Sequence, residues 1–168
     1  MYPCSAITPH LYMLAGYHHW ANVLLLKEVA SVSDDDYFSS VGLYFGSIHG
    51  TLNHMLLGDR SWHGRFVNKP EAFLSLAQEV EADRHALAGQ IIDRQNVWHT
   101  LIDSTSDQVM AGELQYRTTA NEPATTPWIG TLIHVFNHAS HHRGQISAAL
   151  TGLGYNSPEM DLIYFLRT

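Results

Sequence analysis

Apolar positions recur at helical spacing over four long stretches of this chain. The first runs from about Thr8 or Pro9 to about Ser31, with Leu11, Leu14, His18, Ala21, Leu25 and Val29 along one face. Thr8 suits an N-cap and Pro9 the first helical position. Ser33-Asp34-Asp35-Asp36 then breaks the pattern and reads as a solvated turn. The second stretch spans about Ser40 to Val67, with Phe45, Ile48, Leu52, Met55, Leu56 and Phe66 as its stripe. The third spans about Leu76 to Ser104, with Leu76, Val80, Leu87, Ile91, Val97 and Leu101 facing inward. It also carries Glu79, Glu81, Asp83, Arg84, Asp93 and Arg94, which predicts the outermost helix.

Leu114-Gln115-Tyr116-Arg117-Thr118-Thr119 alternates and favours β structure, and Asn121-Glu122-Pro123 follows as a turn. A short strand or hairpin is predicted there. The fourth helix is expected to start at Thr126 (N-cap) and Pro127 (first helical position) and to stop near Gly152 or Gly154. Met160 to Leu166 reads as a short closing segment. The predicted fold is all-α: an antiparallel four-helix bundle, in one domain over residues 1–168, with the strand or hairpin before the last long helix.

Composition narrows the function. Hydrophobic residues make up 45% and charged residues 15%, as in a folded globular chain. A formal net charge of −7 argues against a nucleic-acid partner. No apolar run reaches the roughly 18 residues of a membrane span. Met1-Tyr2-Pro3 lacks the basic start of a signal peptide, and the single cysteine, Cys4, excludes an intrachain disulfide. A cytoplasmic protein without a membrane partner is expected, and Cys4 reads as an incidental thiol near the N-terminus.

The candidate chemistry lies on the fourth helix. Arg143 is the only residue of fixed charge between Pro127 and Pro158, so most faces of this helix are expected to be buried. Ile129, Leu132, Phe136, Ala139, Ile146, Leu150 and Leu153 form one sector. His134, His138, His142 and Gln145 form a separate stripe roughly 110° away. Neutral imidazole is a common metal ligand, and an i, i+4 histidine pair on a helix can seat an ion. His134 and His142 stand about 12 Å apart along the axis, too far to share one ion. The pair is therefore His134 with His138 or His138 with His142. His141 points about 100° away from His142 and is the weakest ligand candidate.

A third ligand should come from another helix, and His54 is the best placed. Its face carries Ser47, Gly50, Thr51, Gly58 and Ser61, small residues that leave volume beside it. His49 projects at a different angle. Three imidazoles would leave one coordination position open, the pattern of a catalytic site. Asp59 is a reasonable carboxylate partner for a buried Arg143. Gln145 could orient a ligand, Trp62 and Trp20 read as packing residues, and Glu28 and Glu113 as surface groups. No residue is identified as a general acid or base.

At this point the chain resembles the DinB/YfiT-like family of four-helix-bundle metalloenzymes, over nearly its whole length. Tyr17-His18-His19-Trp20-Ala21-Asn22 is similar to the family's first-helix YxxWAN segment. Phe45 to His54, followed by Asp59 and Trp62, resembles the second-helix motif with the first metal ligand. Asn137-His138-Ala139-Ser140-His141-His142-Arg143-Gly144-Gln145 resembles the last-helix motif that carries the other two. Asp161 to Leu166 resembles the usual ending. The resemblance implies a divalent-metal site formed by His54, His138 and His142, and often a homodimer. "DNA-damage-inducible" then describes gene control and implies no contact with DNA. Related members use low-molecular-weight thiols such as bacillithiol or mycothiol as co-substrates.

The expected function is that of a metal-dependent enzyme acting on a small-molecule substrate. Zinc or nickel is the expected ion, and thiol-dependent S-transfer the favoured chemistry. Metal-dependent hydrolysis comes second. The competing class is a non-catalytic bundle that binds a metal or ligand in a stress response.

Overall fold

The computed structural model describes residues 6–168, so Cys4 lies outside the described residues. The chain is mostly helical, with one small sheet. In order come α1 (Thr8–Val29), α2 (Asp34–Phe38), α3 (Ile48–Phe66), α4 (Arg84–Asp93), α5 (Val97–Ser104) and α6 (Asp107–Met110). Strands β1 (Glu113–Arg117) and β2 (Pro123–Pro127) follow, then α7 (Trp128–Gly152) and α8 (Leu162–Phe165). Helix α7 packs on both α1 and α3, α5 packs on α1 and α3, and α4 packs on α3. Among the described residues no helix is long and apolar enough to cross a membrane.

The first and last long helices appear as their periodicity predicts, with one-residue shifts at the starts. Thr8 is already helical and Ile7 occupies the cap position. Pro127 takes the cap position of α7, while Thr126 ends in β2 with its hydroxyl on that of Thr131, 2.6 Å away. The expected hairpin forms. β1 and β2 pair antiparallel, in register from Glu113 with Pro127 to Arg117 with Pro123.

Two stretches depart from expectation. Ser33 to Asp36 is the start of α2 rather than a turn. Ser33 caps it by accepting from the Asp36 amide at 3.2 Å, and three aspartates in the first turn complement the helix dipole. The second long helix begins at Ile48, not near Ser40. Residues 40–47 form a loop closed by a bridge between Leu43 and Gly46, with Gly46 at φ 80°. Ser47 then caps α3 by accepting from the Gly50 amide at 3.0 Å.

The expected third helix is two shorter ones behind an extended segment. Buried Asn53 on α3 explains the difference. Its Oδ1 accepts from the amides of Val80 and Glu81 at 2.8 and 2.9 Å, and its Nδ2 donates to the Glu81 carbonyl at 3.0 Å. Those backbone groups are therefore engaged across the fold instead of along a helix. Asp83 then starts α4 by accepting from the amides of His85 and Ala86.

The core falls into two apolar clusters with a polar layer between them. Leu25, Ile48, Leu52, Leu56, Leu87 and Ile146 belong to one. Leu11, Trp98, Leu132 and Phe136 belong to the other. Along α1, α3 and α7 the residues between these clusters include His18 and Asn22, Asp59, and Arg143 respectively. Buried polar groups need partners, and these find one another across the helices.

Candidate metal centre

Burial and the α7 stripe bring three histidines to one point. The Nε2 atom of His138 lies 3.2 Å from His54 Nε2 and 3.1 Å from His142 Nε2. The three ligating atoms all fall within 4.8 Å of one another. Two nitrogens on one tetrahedral zinc ion stand about 3.3 Å apart, so the spacing suits a single ion. His134 and His49 stand outside. His134 has its ring edge-on to Trp62 at 5.3 Å. His49 contacts Tyr37 and Glu79. His141 is exposed and contacts the Gln145 amide nitrogen at 3.1 Å.

Hydrogen bonds set the tautomers. His54 Nδ1–H donates to the Leu76 carbonyl at 2.8 Å. His142 Nδ1–H donates to Gln145 Oε1 at 2.7 Å. A neutral imidazole carries one proton, so both rings present a bare Nε2 lone pair to the centre. His138 Nε2 faces both. One proton there could satisfy only one neighbour, whereas a cation satisfies all three. The donor set therefore fits a divalent ion, and imidazole donors by themselves do not select among zinc, copper, iron and nickel.

The electrostatics favour the same state. Burial lowers the His54 pKa. Burial, with the neighbouring imidazoles of His142 and His54, brings His138 down to about 3. Burial brings His142 down to about 4, against the Gln145 hydrogen bond. Neutral rings are the ligating form.

Local structure explains the arrangement. Phe45 precedes α3 instead of extending its stripe, and its ring stacks on His54 at 3.8 Å with 17° between planes. A β-carbon on Gly50 would stand 2.2 Å from the Phe45 carbonyl oxygen, so this close approach requires glycine. Of the small residues on the His54 face, Gly50, Ser47 and Thr51 thus serve the turn and the cap. Gly58 and Ser61 instead line a pocket of about 260 Å³ that opens beside His54 and His138. Leu76, expected in a helical core, is exposed and supplies the carbonyl that holds His54. Among the described residues no fourth histidine, cysteine or carboxylate joins the triad, so an ion held by these three would keep room for a further ligand.

Asp59 is not the partner of Arg143. It accepts from Trp98 Nε1 at 2.7 Å and from Arg94 Nε, and lies 3.5 Å from His18 Nε2. Burial pushes its carboxyl up, but the His18 hydrogen bond and the Arg94 charge outweigh this and hold it below the usual range. Arg143, 1% exposed, donates instead to Asn22 Oδ1 at 3.0 Å and Ser140 Oγ at 2.8 Å. It also faces His18 Nδ1 at 3.3 Å, which leaves the His18 proton on Nε2, toward Asp59. A cavity of about 20 Å³, room for about one water molecule, separates this network from His138. The expected interhelical pin exists, but with an amide and a hydroxyl as acceptors. Sequence reading missed His18, Phe45 and Asn53 as supports of the site. The helical spacing of Phe45, Ile48 and Leu52 masked the break, although Gly46-Ser47 was a turn-and-cap signal that places Phe45 outside the helix.

The sequence model of the DinB family matches residues 8–168. Protein DinB of Bacillus subtilis (strain 168) is 26% identical over 161 residues, covering 92% of this chain and 92% of its own length.

Proposed function

Because this chain belongs to the DinB family, we propose that it is a metal-dependent enzyme whose ion is held by His54, His138 and His142. The observation that carries this reading is the convergence of three Nε2 atoms beside an open pocket. A closed shell of four protein ligands would mark a structural ion, whereas three leave room for substrate. When bound, the ion supplies a Lewis acid that lowers the pKa of a thiol or water and polarises a substrate.

The protein's own groups do the rest. The Leu76 carbonyl and Gln145 aim two of the rings. Phe45 stacks on one face of the His54 ring and holds its plane. The pocket between α3, α7 and the hairpin admits a small molecule. The favoured chemistry is S-transfer with a low-molecular-weight thiol as co-substrate, and metal-dependent hydrolysis is second. A homodimer is the proposed assembly, and light scattering on the purified protein tests it.

The metal site is tested by elemental analysis of protein purified without a metal column, alongside the His138→Ala variant. Stoichiometric zinc or nickel in the parent and little in the variant is expected. Equal content in both would overturn the site. Turnover with a panel of thiols and electrophilic acceptors, in the presence and absence of metal, tests the chemistry. No metal-dependent turnover across a broad panel would overturn the transferase reading.

A further inference from the structure

The pocket beside the triad holds one fixed cation and no acid. Its wall includes His54, His138, Trp62, Arg65, Tyr116 and Thr118, and among the described residues no aspartate or glutamate lines it. This is so in a chain with 16 acidic residues against nine lysines and arginines. The Arg65 guanidinium lies 4.4 Å over the Trp62 ring and 5.3 Å from the centre of the Tyr116 ring. Stacking occupies the flat faces of a guanidinium and leaves its N–H edge free, and that edge matches a carboxylate in two parallel hydrogen bonds.

Nothing described within the protein takes that edge. Arg60, Arg84 and Arg94 each pair with a carboxylate, on Glu71, Asp34 and Asp59. Arg143 has Asn22 and Ser140. Among the described residues Arg65 has neither a carboxylate nor a hydrogen-bond acceptor, although it is half-buried. A desolvated charge without a partner is costly, and an incoming anion would offset that cost. Trp62, Tyr116 and His134 continue into an adjoining pocket of about 370 Å³, which extends the aromatic wall away from the triad.

We propose that this groove binds a small carboxylate, whose planar head is received by Arg65. Its apolar or aromatic body lies along Trp62 and Tyr116, and its reacting end reaches the histidine triad. The proposal rests on the metal-site reading for the reacting end alone. Arg65 here is a substrate-binding residue that sets charge selectivity.

Two arms test it. Cobalt(II)-loaded protein is titrated with 3-mercaptopropionate and with its uncharged counterpart, 3-mercapto-1-propanol, following the thiolate-to-cobalt absorption. The acid is expected to bind on the order of tenfold more tightly, as one charged hydrogen-bonding contact allows. Arg65→Gln should abolish the preference and Arg65→Lys should retain part of it. In the second arm, calorimetry compares 3-phenylpropionate with 3-phenyl-1-propanol on metal-free protein and on Arg65→Gln. Equal affinity for acid and alcohol in the parent, or a preference unchanged in Arg65→Gln, overturns the proposal. Failure to take up cobalt overturns the metal site instead, and the calorimetric arm then decides Arg65 by itself.

Discussion

The Nδ1–H of His142 donates to Oε1 of Gln145, one helical turn along α7, at 2.7 Å. The same amide turns its nitrogen toward His141, so its orientation is set from both sides. Partners of this kind fix the ring and raise the basicity of the ligating nitrogen, and losing one costs about 10–100-fold in metal affinity. Gln145→Leu is therefore expected to weaken zinc binding by about that factor with the fold intact. Competition with a chromogenic chelator measures it, and unchanged affinity would remove Gln145 from the site.

His138 and His134 lie on one stripe but carry different expectations. His138 is central to the triad, whereas His134 packs on Trp62. His138→Ala should abolish stoichiometric metal binding. His134→Ala should leave affinity within about threefold, well short of the loss of even an outer partner. Comparable losses in both variants would place the ion elsewhere on the stripe.

Asp59 of α3 ties in α1, the end of α4 and α5 through His18, Arg94 and Trp98 respectively. Asp59→Ala leaves a guanidinium and an indole N–H without their acceptor. Removing one partner of a buried pair costs about 3–5 kcal/mol. Arg94 retains some access to solvent, with 20% of its side chain exposed, so the low end is expected. Urea unfolding of the metal-free protein reads this out. A loss below about 1 kcal/mol, the scale of an exposed pair, would show that the network contributes little.

Stability of the metal-free protein should fall with acidity. Burial lowers the imidazole pKa values of His18 and His54 and takes His142 and His138 to about 4 and about 3. In the unfolded chain each titrates near 6.5. Below that pH the unfolded state takes up protons that the folded state refuses, so stability declines as pH falls. The urea midpoint should be flat above about pH 7 and drop progressively from about pH 6.5 to about pH 4. A midpoint constant between about pH 7 and pH 5 would contradict this assignment.

Asn53 is expected to matter at a distance. It pins the backbone of Val80 and Glu81 and so secures the segment whose Leu76 carbonyl holds His54. Asn53→Ala leaves two partly buried amides without their acceptor, at about 1 kcal/mol each, the low end for an unpaired group. Hydrogen exchange should accelerate across residues 76–83, and zinc affinity should fall in parallel. Fast exchange without any change in affinity would separate the segment from the site.

Much of this protein was legible in its sequence because helical periodicity is a local property. The pattern of Leu11 to Val29 and of Leu132 to Leu150 locates α1 and α7 closely. The four-residue spacing of His134, His138 and His142 restricts any ion to a pair that includes His138, by axial rise alone. The small residues around His54 pointed to a second contributing helix, though Gly50 turned out to serve the turn at Phe45. Tertiary structure decided the rest, since it depends on which distant groups meet. A charged, helix-like pattern over residues 76–83 yields to the amide of Asn53, which engages their backbone from another element. Asp59 finds Arg94 instead of Arg143, because the end of α4 brings Arg94 and α5 brings Trp98 to its side while Asn22 of α1 receives Arg143. Nothing in the sequence singles out Arg65. Only its stacking on Trp62 and Tyr116, beside the triad and away from every described carboxylate, gives it a distinct chemistry.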